Sequence, residues 1–285
     1  MIISDDDQLA HDLAAQAGRR LLALRERGGA ADQLRRDGDA LSHDFLAAEL
    51  SRLRPGDAVL SEEGRDDPVR LSSDRVWIVD PLDGTREFGE AGRTDWAVHV
   101  ALWERGELTA GAVALPAQGA VLSTVDPQAG CRKADARGRA APRAAVPRAA
   151  VPRAAAPDAA APGAQAAGNG RLRLVVSRSR PPEFVQRLAD ETGAELLPLG
   201  SAGAKAAVVI CGDADAYVHS GGQYEWDSAA PVAVAMAAGL HASRIDGSRL
   251  SYNQAHPWMP DILICPAALA GLLLGAISSV SSRQG

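Results

Sequence analysis

The stretch from Trp77 to Thr85 combines an apolar run with two carboxylates, a glycine and a hydroxyl. The apolar residues predict a buried strand, and the Asp-Pro-Leu-Asp-Gly sequence predicts a turn that places Asp80 and Asp83 on one side of a loop. Two carboxylates this close repel each other unless a cation lies between them. Oxygen ligands favour Mg²⁺ or Mn²⁺ over zinc, and Mg²⁺ held by carboxylates is a common partner of substrate phosphates. An ordinary strand-to-turn junction, with Asp and Gly as turn formers, accounts for the same residues.

Two further acids lie at the ends of predicted elements. Glu62 follows the predicted strand from Ala58 to Leu60, as Asp80 follows the one from Val76 to Val79. Neighbouring strands of one sheet would place these two acids side by side. Asp227 lies at the predicted start of a helix of small residues, where a capping role alone would also explain an acid.

The elements that must position these acids follow from hydrophobic periodicity. A first helix is predicted from a Ser4 cap to the glycines at 28–29, followed by a polar loop at 35–39. A second helix begins at Ser42, so Asp44 lies in its first turn, where compensation of the helix dipole would explain it. A polar, flexible segment is predicted at 65–73. Three β-like runs between Trp96 and Val125 predict an antiparallel meander.

The chain divides into three parts by composition. Residues 1–129 form a predicted N-terminal α+β subdomain that carries most of the acids. Residues 130–170 repeat short Arg-Ala-Ala-Val-Pro units with almost no large apolar residues, which predicts a flexible insertion. Residues 171–285 alternate strands and helices, as in an α/β subdomain, and Ser278 to Gly285 is predicted to be a frayed tail.

Composition narrows the classes of function. The 285 residues are 46% hydrophobic and 23% charged, as in a globular protein, and the net charge of -6 argues against binding to nucleic acid polymers. The three cysteines are odd in number and widely spaced, which predicts a reduced, cytoplasmic protein. The acidic N-terminus is unlike an export signal, and the longest apolar run is too short for a membrane span.

Three ordered stretches together resemble the signatures of the inositol monophosphatase superfamily: 60–64 (Leu-Ser-Glu-Glu-Gly), 80–85 (Asp-Pro-Leu-Asp-Gly-Thr) and 225–231 (Glu-Trp-Asp-Ser-Ala-Ala-Pro). The resemblance covers nearly the whole chain apart from the insertion. It implies an α+β fold, a layered αβαβα sandwich with two subdomains. It also implies a lithium-sensitive phosphatase of small molecules that uses two or three Mg²⁺ ions, with Mn²⁺ as a substitute, and that is often a homodimer.

The resemblance also implies roles for individual residues. The metal ligands it implies are Glu62, Asp80, Asp83 and Asp227, together with the carbonyl of Leu82. The amides of Gly84 and Thr85 would hold the phosphate, and the Thr85 hydroxyl would orient an attacking water activated by the metal, with Glu62 also acting in catalysis. In this family the threonine pairs with an acid of the first loop, and Asp44 occupies that place, although Leu41 stands where the family usually has a threonine.

Within the superfamily, details of the second half resemble the bacterial 3'(2'),5'-bisphosphate nucleotidases of the CysQ type. The residues that carry this likeness, and would contact the substrate beside Asp227, are Ser177, Arg178, Ser201 and Lys205. Arg178 or Lys205 could bind a second phosphate. The implied substrates are adenosine 3',5'-bisphosphate and 3'-phosphoadenylyl sulfate, in sulfate assimilation. The alternatives are hydrolysis of inositol monophosphate or fructose 1,6-bisphosphate, and a non-enzymatic sensor of phosphorylated metabolites.

Overall fold

The first half of the chain builds a five-stranded sheet in strand order β1-β2-β3-β4-β5. The computed structural model describes residues 6–131, 171–179, 181 and 183–282. β1 and β2 run parallel, and the remaining neighbours are antiparallel, which confirms the predicted meander. The strands are β1 (Ala58–Ser61), β2 (Arg75–Asp83), β3 (Ala97–Glu104), β4 (Glu107–Leu115) and β5 (Ala120–Ser123).

The second half builds another five-stranded sheet, in strand order β7-β6-β8-β10-β9. β6 pairs in parallel with both β7 and β8, whereas β10 pairs antiparallel with β8 and β9. The strands are β6 (Arg173–Ser177), β7 (Glu195–Leu199), β8 (Ala216–Tyr224), β9 (Leu240–Ser243) and β10 (Trp258–Pro266).

Helices cover the outer face of each sheet and fill the space between the two sheets. The helices are α1 (Asp6–Arg27), α2 (Ala31–Leu53), α3 (Thr85–Gly89), α4 (Glu183–Thr192), α5 (Ala202–Ile210), α6 (Glu225–Ala237) and α7 (Ala267–Ser282). One apolar cluster joins α1 and α2 to the first sheet, and another joins α4 and α7 to the second. The third cluster packs α5 and α6 between the sheets. This order of layers confirms the predicted αβαβα sandwich; the division into two subdomains stays a prediction.

Helix α2 differs from the prediction because it is continuous through 35–39, where a loop was expected. Gly38 explains the difference, since a Cβ at this position would lie 2.8 Å from Phe88 Cε1 and 2.9 Å from Leu82 Cδ2. The glycine therefore lets the helix approach the chain that carries the acidic motif. Ser42, the predicted cap, is instead fully buried within α2.

The acidic motif and the segment before it also depart from the prediction. The chain stays extended through Asp83 and turns only at Gly84, whose φ of 85° lies in the left-handed region that favours glycine. The segment at 65–73, predicted to be flexible, contains a 3₁₀ helix (Pro68–Ser72) capped by Asp67. Its Arg70 is 1% exposed because its guanidinium is bonded by Asp66 and by the loop at 253–254.

The C-terminal elements are longer than their hydrophobic patterns suggest. α7 continues to Ser282, so the predicted frayed tail is helical over the part that the structure describes. The apolar run at 262–265 predicts a short strand, but β10 begins at Trp258, and β9 is not predicted by a comparable run. The Ser4 cap and most of the insertion lie outside the described residues.

Two of the three cysteines are paired, which overturns the prediction that all are reduced. Cys131 and Cys211 form a disulfide, with Cα atoms 5.2 Å apart, while Cys265 is free and buried. The partners are 80 residues apart in sequence, and the fold brings the end of α5 beside the segment that follows β5. Among the described residues, no helix combines the length and apolarity that crossing a membrane requires.

Candidate metal and phosphate site

The parallel pairing of β1 and β2 brings two acids to one edge of the first sheet. Leu60 pairs with Ile78 and Ser61 with Val79, so the residue that follows β1 comes level with Asp80 in β2. Glu62 therefore leaves β1 beside Asp80, and their carboxyl groups are within hydrogen-bonding reach. The predicted meeting of these two acids is confirmed.

Three aspartates converge at the centre of the site. Asp80, Asp83 and Asp227 each offer a carboxylate oxygen, and these oxygens lie within 4.8 Å of one another. Asp80 and Asp83 are three positions apart, so in a regular strand their side chains would point to opposite faces of the sheet. The β2–β3 register shifts between them, and this irregularity allows both to reach the same site. Asp227 arrives from the third position of α6 rather than from its cap, and its Oδ2 accepts the N–H of Tyr224 at 2.6 Å. We call these three residues the acidic centre.

One oxygen of Asp83 is held by the other half of the chain. Its Oδ2 accepts hydrogen bonds from Ser201 Oγ at 2.5 Å and from the Gly203 N–H at 2.8 Å, both at the start of α5. His99 Nε2 lies 3.1 Å from the same oxygen, and His99 Nδ1 lies 3.1 Å from the carbonyl oxygen of Trp226. These contacts fix the orientation of the Asp83 carboxylate.

The electrostatics of the site are dominated by buried acids that lie close together. Burial, together with the charges of Glu62 and Asp83, raises the pKa of Asp80 well above its usual value. Desolvation and the charge of Asp227 raise the pKa of Glu62 to about 7, and burial beside Asp83 raises the pKa of Asp227 to about 6. Burial would also raise the pKa of Asp83, but His99, Lys205 and Ser201 together lower it. A divalent cation would reverse the mutual repulsion.

The Thr85 hydroxyl pairs with Asp39 and not with Asp44, which corrects the expectation from the sequence. Its Oγ1 lies 3.3 Å from Asp39 Oδ1 and 3.0 Å from the carbonyl oxygen of Leu82. Asp44 is exposed and lies five residues further along the continuous α2, which rotates it by about 140° away from Asp39. Burial and the charge of Glu63 raise the pKa of Asp39 to about 6, whereas the bond with Thr85 lowers it.

The residues predicted to contact substrate have structural partners of their own. The Arg178 guanidinium bonds to the carboxylates of Glu87 and Glu90 on and just after α3. Lys205 is buried, and its Nζ donates to the carbonyl oxygens of Ser201 at 2.9 Å and Gly200 at 3.3 Å. Neither cation is placed as the free phosphate ligand that was expected. Ser201 bonds to Asp83 and caps α5, and Ser177 ends β6 opposite Leu199.

Sequence reasoning missed His99, Asp39 and Gly203. The alternation of β3 could have identified His99. Ala97 and Ala101 lie on the same face of β3 as His99, and they pack in the apolar layer with α5 and α6. A histidine at an inward position of such a strand needs a polar partner. Asp39 and Gly203 carried no comparable signal, because their partners come from distant parts of the chain.

Comparisons with known proteins agree with this geometry. A family model described as the inositol monophosphatase family matches residues 8–281. The 3'-phosphoadenosine 5'-phosphate phosphatase of Mycobacterium leprae is 47% identical over 96% of this chain and 94% of its own length. The protein of the same name from Mycobacterium bovis is 49% identical over 92% and 89%. The crystal structure of CysQ from Bacteroides thetaiotaomicron superposes with a TM-score of 0.68 at 25% identity, covering 92% of this chain and 97% of that one.

Proposed function

This chain belongs to the inositol monophosphatase family, and from that premise we propose that it is a Mg²⁺-dependent phosphatase of adenosine 3',5'-bisphosphate. The reaction releases the 3'-phosphate and leaves AMP, and 3'-phosphoadenylyl sulfate is the related second substrate. The observation that carries the proposal is the convergence of Asp80, Asp83 and Asp227 from two halves of the chain on one point. The names of the mycobacterial relatives support the substrate.

The residues present suit a hard divalent cation. Every side-chain donor in the acidic centre is a carboxylate oxygen, and burial together with neighbouring carboxylates raises the pKa values of Asp80, Asp227 and Glu62, which supports a site for added positive charge. Glu62, the acidic centre and the Leu82 carbonyl are the ligands we propose. When bound, Mg²⁺ neutralises charge on the attacking and leaving oxygens and lowers the pKa of a bound water.

The protein's own contribution is to hold the phosphate and to orient the water. Gly84 and Thr85 begin α3, where the first amides of a helix have no acceptor within the helix and can bind phosphate oxygens. Thr85 Oγ1 lies between two acceptors, Asp39 Oδ1 and the Leu82 carbonyl. The Thr85 hydroxyl donates its proton to one of these acceptors, so the lone pairs of its oxygen are available to accept a hydrogen bond from water. The contact between Thr85 and Asp39 supports assigning to Asp39 the role that the sequence suggested for Asp44.

Arg178 and Lys205 stabilise the segments that carry residues of the site. Arg178 braces α3, which carries Thr85, against the second half of the chain. Lys205 holds the carbonyl oxygens of the loop that supplies Ser201 to Asp83. The positive charge of Lys205 also offsets part of the charge of the acidic centre, since Lys205 is among the groups that lower the pKa of Asp83.

The test is phosphate release with saturating Mg²⁺ from adenosine 3',5'-bisphosphate, inositol 1-phosphate and fructose 1,6-bisphosphate at equal concentration, with and without lithium. We expect the nucleotide to be preferred and lithium to inhibit. Asp83→Asn should abolish turnover, because the variant loses a charged ligand, while Asp32→Asn, at an exposed site on α2, should not change it. Preference for either of the other phosphates would contradict the substrate, and nucleotide binding without phosphate release would favour a sensor.

A further inference from the structure

Three aromatic side chains lie together at the start of α6. The Tyr224 ring stacks on Trp226, with ring centroids 4.6 Å apart and planes 7° from parallel, and Trp258 meets Tyr224 edge-on at 5.4 Å. Tyr224 is 42% exposed and Trp258 is 49% exposed. We call these three residues the aromatic platform. Leaving this much aromatic surface in water forgoes the free energy that burial would give.

The aromatic platform is continuous with the acidic centre. The backbone N–H of Tyr224 donates to Asp227 Oδ2 at 2.6 Å, and Trp226 directly precedes Asp227. The carbonyl oxygen of Trp226 lies 3.1 Å from Nδ1 of His99, whose other ring nitrogen contacts Asp83. A ligand with its phosphate at the acidic centre therefore has its other groups within reach of the platform.

Buried charges hold the loop that presents Trp258. Glu225 is 1% exposed, and its carboxylate accepts the N–H groups of Asn253 at 2.6 Å and Gln254 at 2.8 Å. Arg70 donates to the Asn253 side chain at 2.8 Å and to the Gln254 carbonyl at 2.9 Å. Buried charges are costly unless they are paired. Neither residue belongs to the acidic centre, and both fix the segment that leads to Trp258.

The backbone of β8 also fixes the position of the Trp258 indole. A Cβ at Gly222 would overlap the ring of Trp258, and the φ of this glycine is +87°. The indole therefore lies against the backbone of β8, where only glycine leaves room for it. The exposed rings are preorganised, which reduces the entropy lost when a ligand binds.

We infer that the aromatic platform stacks against the nucleobase of the nucleotide substrate. The inference rests on the proposed function and adds to it the residues that distinguish a nucleotide from other phosphate esters. Every base has a flat π face that can stack on an aromatic ring, whereas inositol and fructose phosphates have none. The platform thus supplies specificity that the acidic centre, whose bound cations would recognise only the phosphate, does not provide.

The test compares Trp258→Ala and Tyr224→Ala with the matched control Met236→Ala, an exposed apolar residue at the far end of α6. KM and kcat are measured for adenosine 3',5'-bisphosphate and for inositol 1-phosphate, and the Kd for AMP is measured by calorimetry. We expect both platform variants to raise the nucleotide KM and the AMP Kd by roughly 5- to 100-fold. The values for inositol 1-phosphate and for the control should stay within about twofold of wild type, a change that corresponds to less than the stacking of one base.

A second variant and a second measurement keep the inference open to refutation. Trp258→Phe retains an aromatic face and should recover most of the affinity that Trp258→Ala loses, while circular dichroism checks that each variant is folded. Unchanged AMP affinity in both alanine variants would overturn the inference, as would a change in oligomeric state with AMP affinity intact, which would assign the platform to a second copy of the chain. If the wild-type protein released no phosphate from the nucleotide, the proposed function would fail, and the AMP titration would still test the platform.

Discussion

Gly203→Ala is the substitution that tests most directly whether α5 controls the acidic centre. The Gly203 N–H is bonded to Asp83, and an added Cβ would overlap His99 Nε2 and lie 2.8 Å from Val113 Cγ1. His99 is fully buried, so it has no space into which to move. Either the imidazole leaves Asp83 or the start of α5 shifts away from β3.

The magnitude follows from two opposing effects. Overpacking of a filled interior costs about 1–3 kcal/mol, whereas replacing a helical glycine with alanine gains at most about 1 kcal/mol. If the full glycine gain is realised, the net loss is about 0–2 kcal/mol, which should lower Tm by up to roughly 4 °C in a chain of this size. A displacement of about 1 Å at Asp83 should also lower kcat roughly 100-fold.

The matched control is Gly275→Ala in α7. Like Gly203, Gly275 lies within a helix. Unlike Gly203, it is exposed, and nothing lies within 4 Å of a Cβ built there. This variant should raise Tm slightly and leave kcat unchanged, because only the helix propensity changes. Thermal unfolding and phosphate release with saturating Mg²⁺ are measured for both variants. A Gly203→Ala protein with wild-type kcat and a raised Tm would refute the positioning of Asp83 by α5.

Two further predictions concern the carboxylates. Asp39→Asn should lower kcat about 100-fold, because the amide can still accept the Thr85 hydrogen bond but has neither the negative charge nor the basicity of the carboxylate, while Asp44→Asn should have little effect, and the reverse result would restore the pairing expected from the sequence. The pKa values of Asp39 and Asp227 are about 6 and that of Glu62 is about 7, all above their ordinary values, so the ion-free folded protein binds more protons than the unfolded chain. Its stability should therefore fall as the pH rises from about 4 to 7. In thermal unfolding with EDTA or Mg²⁺, the increase in Tm caused by Mg²⁺ should be larger at pH 8 than at pH 5, and an equal increase at both pH values would contradict a carboxylate metal site.

The elements that formed as predicted are those whose local patterns agree with their environment. The apolar runs that became β2, β3 and β4 are buried along most of their length, and the glycines at 28–29 end α1 as expected. The boundaries failed where a distant contact outweighed local preference. Gly38 and its neighbours read as a loop, yet they are helical because Phe88 and Leu82 leave room only for glycine.

The cysteines and the cationic side chains show the same limit of prediction from local sequence. The spacing of Cys131 and Cys211 gave no sign of a disulfide, because the two cysteines are 80 positions apart in sequence and meet only in the tertiary structure. Arg178 and Lys205 carry charges that suit phosphate, but Glu87 and two backbone carbonyls are their nearer partners. The sequence identifies the charge of a side chain, but the packing of the fold decides which opposite charge or dipole contacts it.

The sequence by itself determined the chemistry of the site: three ordered acidic stretches with oxygen ligands and a threonine beside Asp83. It also predicted that Glu62 and Asp80 meet, because both follow strands. The tertiary structure decided how Asp83 is held, which acid pairs with Thr85 and where the aromatic platform lies. Those contacts join residues 46 to 120 positions apart or depend on the exact rotation of a helix. Short sequence patterns reflect residue types and local conformation, whereas contacts between residues far apart in sequence form only when the layers of the fold pack together.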